Sequence, residues 1–250
     1  MIEAYFRPKD LDEAIALLSR PDGMYLPLGG GVTLSQKKDR PFSVVDLQAL
    51  GLDKITQKGQ FLTIGATTKL QVLAEYDGLQ PAFKIAVLSE TNINLRQQAT
   101  VAGALLTAGG RSPLAVAMLA LDGTLTWQPG SQRMSFGEWL VLRQPPKNAR
   151  LVTEVEIPLH ADLSFEKVAR TPDDLPVLSL ALARWPSGRV RISLGGFGSA
   201  PILALDAPES GGVEEAVRDA LSNAEDAWGT AAYRQDVGVK LVRRMLKELG

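Results

Sequence analysis

Apolar positions along the chain fall into two periods. Leu11, Ala14, Leu17 and Leu18 share one face at helical spacing, so a helix is predicted from Leu11. Asp10 stands at its N-cap and Glu13 at its third position, a capping-box-like start, with Gly23 as the stop. Residues 24–28 and 44–47 read as short buried strands, which makes the first unit β-α-β. A second unit opens with a strand at 61–66. Thr67 or Thr68 caps the helix after it, and another helix covers roughly 81–90. Residues 100–107 read as extended around Gly103. Ser112-Pro113 marks a strong helix start that runs to Leu121 and ends at Gly123. Residues 124–128 and the Pro129-Gly130 turn read as a hairpin arm.

The pattern changes in the last hundred residues. Segments 151–157, 165–170, 178–184 and 189–193 alternate or run apolar as strands, with a tight turn at Ser187-Gly188. Two helices follow, near 213–224 and 231–249. Strands followed by helices predict an α+β domain whose small antiparallel sheet is covered on one face, with a boundary near 160–165.

Composition narrows the chemistry. The 250 residues suffice for one large domain or two smaller ones. A formal net charge of -1, with no long basic or acidic run, gives no electrostatic reason to expect nucleic acid or an anionic membrane. No apolar run reaches the ~20 residues a bilayer span requires. The start of the chain lacks the basic and apolar stretches of a signal peptide, so a cytoplasmic location is expected. The absence of cysteine excludes disulfides, thiolate catalysis and cysteine-held zinc or iron–sulfur clusters within this chain. The single histidine, His160, reads as a loop residue. No metal site and no catalytic residue is expected. Asp173-Asp174, flanked by Pro172 and Pro176, reads as a solvated turn, and the tryptophans read as core.

Two segments carry candidate chemistry. Gly29-Gly30-Gly31 follows a strand and precedes Val32 and Thr33. Consecutive glycines permit positive φ and can present several N–H groups together, a nest suited to a pyrophosphate, or simply form a tight turn. The stretch from Ala99 to Pro113 is rich in small residues and ends at a helix start, whose free N–H groups favour an anion. Close backbone packing is the alternative.

In order along nearly the whole chain, these segments resemble the FAD-binding subunit of the molybdenum hydroxylases: the medium subunit of carbon monoxide dehydrogenases and the flavin domain of xanthine dehydrogenases. Gly29-Gly30-Gly31-Val32-Thr33-Leu34 resembles the family's Ala-Gly-Gly-Thr-Asp/Ser-Leu loop, and Thr100-Val101-Ala102-Gly103-Ala104-Leu105 its Thr-Ile/Val-Gly-Gly-Asn/Ser-Leu loop. Leu119–Leu125, Leu151–Pro158, Lys167–Leu175, Arg191–Gly198 and Trp228–Arg234 extend the resemblance.

The resemblance implies a two-subdomain FAD-binding domain of the vanillyl-alcohol-oxidase (PCMH) type over 1–160, with subdomains of about 1–55 and 56–160. A C-terminal α+β domain with a small antiparallel sheet, 161–250, would follow. It implies that Leu28, Gly29, Gly30, Gly31, Val32 and Thr33 hold the pyrophosphate. Thr100, Gly103, Ala104, Leu105 and Thr107 would line the other side, Leu151 and Val152 would pack near the isoalloxazine, and Lys167 would place a cation near the ring. The implied partners are a 2Fe-2S subunit and a molybdopterin-binding large subunit, with NAD as one possible acceptor. Ala102, Ala104 and Pro113 depart from the family pattern, and the last two remove polar groups. The alternative is therefore an assembly or scaffold subunit with a degenerate flavin site.

Overall fold

The structure, a computed structural model, describes residues 1–34 and 40–249. Its backbone contacts divide into two compact units that interleave along the chain: 1–75, 93–107 and 124–156 in the first, and 76–92, 108–123 and 157–250 in the second.

The first unit begins with β1 (Ile2–Phe6), α1 (Leu11–Leu18), β2 (Tyr25–Leu28) and β3 (Phe42–Asp46), the strands forming a parallel sheet in the order β1-β3-β2. Asp10 caps α1 by accepting from the Glu13 N–H. The Glu13 carboxylate takes the Lys9 N–H instead of closing the box on Asp10. The helix ends at Leu18 with Ser19 as its C-cap, four residues before the expected stop at Gly23, and the Arg20 N–H closes a tighter last turn on the Leu17 carbonyl. Ala14, Leu17, Val45, Leu47 and Leu151 form the core beneath it.

A five-stranded sheet completes this unit: β4 (Ile55–Lys58), β5 (Phe61–Gly65), β6 (Thr124–Gln128), β7 (Gln132–Ser135) and β8 (Leu151–Pro158), in the order β4-β5-β8-β6-β7, with β4 antiparallel to β5 and β6 antiparallel to both β7 and β8. The strand at 151–158, read from sequence beside the C-terminal strands, pairs with β6 here. Between these strands lie the short helices α2 (Leu70–Glu75), α4 (Ile93–Arg96), α5 (Val101–Leu106) and α7 (Phe136–Leu142), with α3 (Pro81–Glu90) and α6 (Pro113–Ala120) belonging to the second unit. The α2 helix begins at Leu70, and the buried Thr68 hydroxyl has no hydrogen-bond partner among the described residues, so Thr68 does not cap it with its side chain.

The second unit is built on an antiparallel sheet of β9 (Asp162–Val168), β10 (Leu178–Arg184), β11 (Val190–Gly195) and β12 (Ile202–Ala207), in the order β12-β11-β10-β9. Helices α8 (Val213–Ala220) and α9 (Ala231–Leu249) bury Leu178, Leu180, Leu182, Ile192 and Leu194 on one face. The opposite face is covered too, which corrects the one-faced sheet expected from sequence. Every residue of α6 is buried. Ser193 donates to the Val116 carbonyl and Arg191 to that of Leu119, which fastens α6 to β11.

Arg234 on α9 is fully buried, and its guanidinium donates to the carbonyls of Val177, Ala224, Gly229 and Gly196 and to the Asp226 carboxylate. All five N–H groups are thereby used. Among the described residues, no helix is long and apolar enough to cross a membrane, and no three His, Cys, Asp or Glu side chains cluster to hold a metal.

Candidate functional site

The two glycine-containing segments meet within the first unit. β2 ends at Leu28, and the chain turns through Gly29, Gly30 and Gly31. A Cβ on Gly30 would sit 1.9 Å from the Gln98 carbonyl oxygen, and one on Gly29 would touch the Thr100 side chain at 3.0 Å. Only glycine at position 30 lets the backbones approach this closely. Gly31 has φ +78, the left-handed region, and leads into a turn at Val32 and Thr33. Among the described residues, no hydrogen bond engages the N–H groups of Gly29, Gly30 or Gly31.

The second segment is a helix, not the extended stretch expected. Thr100 caps α5, its hydroxyl oxygen accepting from the Gly103 N–H. The Val101 and Ala102 N–H groups donate to the carbonyls of Thr68 and Ala66, and the Ala104 N–H to that of Thr100. The opening donors of α5 are therefore all engaged within the fold. What α5 offers outward is a low, small-residue surface: Gly103 and Thr107 are exposed, Ala104 is half-buried, and the Thr107 hydroxyl donates to the Gly103 carbonyl at 2.7 Å. Leu105 points into the core. Leu151 and Val152 are buried on β8, opposite Gln128 and Trp127. Lys167, on edge strand β9 of the second unit, donates to the Pro172 carbonyl at 2.8 Å.

Lys69 is a member of this junction that the sequence did not single out. Its ammonium donates to the Gln98 carbonyl at 2.9 Å and to the Gly29 carbonyl at 3.4 Å, one bond to each segment. Burial pulls its pKa below the ordinary lysine value, against the attraction of Asp46. The sequence signal was a single cation in the otherwise small and apolar run from Ile64 to Leu70.

The helix start at Ser112-Pro113, expected to offer free N–H groups, is filled from within the second unit. Glu90 accepts from the Leu114 N–H at 2.9 Å and from the Ser112 hydroxyl at 2.8 Å, and Ser112 caps α6 through the Ala115 N–H. Burial pushes the Glu90 carboxyl up to about 7, and those hydrogen bonds oppose the shift. The overlooked signal was an acidic residue at the C-terminus of a helix, where the macrodipole disfavours it unless a tertiary partner compensates. Arg111 is also occupied: it pairs with Asp226 at 2.9 Å and stacks on Trp228, whose other cation is Arg170. Asp173 and Asp174 lie in a turn, as read. Trp127 and Trp139 are core, their rings 5.2 Å apart, whereas Trp228 is partly exposed.

Residues 1–160 match the family described as the FAD binding domain in molybdopterin dehydrogenase, and the chain belongs to that family. YgfM of Escherichia coli K12 is 28% identical over 249 residues, 97% of this chain and 94% of the relative. The carbon monoxide dehydrogenase medium chain of Afipia carboxidovorans is 25% identical over 278 residues, covering 97% of this chain and 95% of its own. The glyceraldehyde dehydrogenase medium chain of Sulfolobus acidocaldarius is 23% identical, with 98% of each chain covered. In fold, the chain is similar to the Cu,Mo-CO dehydrogenase in its cyanide-inactivated form, with a TM-score of 0.77, 22% identity, and 98% of this chain and 96% of that one covered. Quinoline 2-oxidoreductase from Pseudomonas putida 86 has the same TM-score at 19% identity, covering 98% and 95%.

FAD is the cofactor of this family. The residues present fit its pyrophosphate. Three consecutive glycine N–H groups are unengaged among the described residues, a flat wall of Gly103 and Ala104 stands in the same unit, and Lys69 provides a cation.

Proposed function

We propose that this chain is the FAD-binding medium subunit of a multi-subunit molybdenum-containing dehydrogenase. In such a complex, an iron–sulfur subunit and a molybdopterin-binding subunit would stand between it and the substrate. The observation that carries the proposal is the Gly30–Gln98 approach, which joins the two glycine segments inside a chain that the carbon monoxide dehydrogenase medium chain matches over 97% of its length. When bound, FAD supplies the exchange between one-electron iron–sulfur donors and a two-electron acceptor such as NAD. The residues of this chain bind and orient it. The Leu28–Thr33 segment meets the pyrophosphate with backbone N–H groups, and the Thr100–Thr107 segment gives it a flat wall. Having no cysteine, the chain leaves the iron–sulfur ligands to a partner.

Reduced anaerobically and mixed with NAD, the FAD-loaded chain is expected to regain its oxidised flavin absorbance while NADH forms. Reoxidation by dioxygen but never by NAD would remove NAD as the acceptor. Failure to co-purify with co-expressed small and large subunits would overturn the medium-subunit assignment. A second reading, an assembly subunit that has lost the flavin, is favoured by one observation: the starts of both α5 and α6 have their donors engaged internally. It predicts partner binding without FAD.

A further inference from the structure

We infer that Lys69 is a positioning residue for the dinucleotide pyrophosphate; the inference rests on the flavin assignment above. A trans peptide points its C=O and the following N–H in opposite directions. The Gly29 carbonyl is held by the Lys69 ammonium, so the Gly30 N–H is directed away from Lys69, to the opposite side of the loop. The same ammonium grips the Gln98 carbonyl, the atom that a side chain at Gly30 would strike. One cation thereby fixes both the spacing of the two segments and the orientation of the peptide between two of the three unengaged N–H donors.

Lys69 also lends the loop a positive charge, carried at a cost in burial that lowers its pKa. The rest of the junction supplies little to replace it. Position 104 is alanine, and the opening N–H groups of α5 are consumed by Thr68, Ala66 and Thr100. Orientation of the Gly29–Gly30 peptide therefore depends on Lys69 more than on any other side chain described at the junction.

The test compares FAD and ADP binding by calorimetry in the full-length wild type, Lys69→Met and Lys69→Arg, with thermal melting of each unliganded protein. ADP shares the pyrophosphate but lacks the isoalloxazine, so it isolates the loop. Lys69→Met is expected to weaken both ligands by a similar factor, tenfold or more, with melting still cooperative. Lys69→Arg, which keeps charge and donors, is expected to recover most of the loss. Should the Met variant fail to fold, Lys69→Gln takes its place, and the same joint loss is expected. Unchanged binding in the Met or Gln variant, loss of FAD without loss of ADP, or no recovery with Arg overturns the inference while leaving the flavin assignment intact. A folded wild type that binds neither ligand overturns both.

Discussion

At the scale of single residues, two positions carry effects that their contacts make calculable. A methyl group on Gly30 has no room beside the Gln98 carbonyl, so Gly30→Ala must push the two segments apart. We expect it to cost about 1–3 kcal/mol of stability and to abolish measurable FAD binding. Gly109→Ala, where the added carbon meets nothing within 4 Å, should leave melting unchanged. Equal melting and equal FAD titrations in the two variants would contradict this account. Arg234→Lys keeps the charge but supplies three donors where five are used. Buried carbonyls then lose partners, and a loss of about 3 kcal/mol is expected in chemical denaturation. The close turn at the glycines was legible because its backbone requirement is local: three in a row after a strand permit it wherever the strand goes. Lys69 and Glu90 were not, because each acquires its role only when chain reversal brings Gln98 or Ser112 beside it.

At the scale of elements, the start of α6 is the most informative. Glu90 closes it, and the folded protein holds this carboxyl near 7 against an ordinary value of 4.5. A group whose pKa rises on folding contributes stability in full below its unfolded value and loses it as pH climbs through the folded one. Stability should therefore decline between pH 4.5 and 7 from this source, by of order 1–3 kcal/mol once the partial exposure of Glu90 is allowed for. In Glu90→Gln the decline should flatten and the melting temperature at pH 8 should rise above wild type; parallel pH profiles would contradict the assignment. Among the elements, helices with a cap were readable, α1 by its apolar stripe as well and α6 by its Ser112-Pro113 start. The α5 helix was not: Gly103 lowers helix propensity, and the segment is helical because Thr100 caps it and the residues after β5 accept its first N–H groups. The α7 helix carried a readable signal that went unused, the Ser135–Glu138 capping box.

At the scale of the molecule, chain order and compact units diverge. The family match ends at residue 160, yet α3 and α6 from that stretch belong to the second unit, where α6 is buried against β10 and β11. Sequence periodicity could not foresee this, since a uniformly apolar helix such as α6 does not declare which sheet it covers. A fragment ending at residue 160 should therefore expose α6 and fail to melt cooperatively; a soluble, cooperatively folded fragment would contradict the interleaved arrangement. The measurement that tests the central claim most directly is the visible absorbance of the purified full chain after incubation with FAD and desalting. Retained flavin bands at about one cofactor per chain are predicted. A folded, colourless protein would contradict the account.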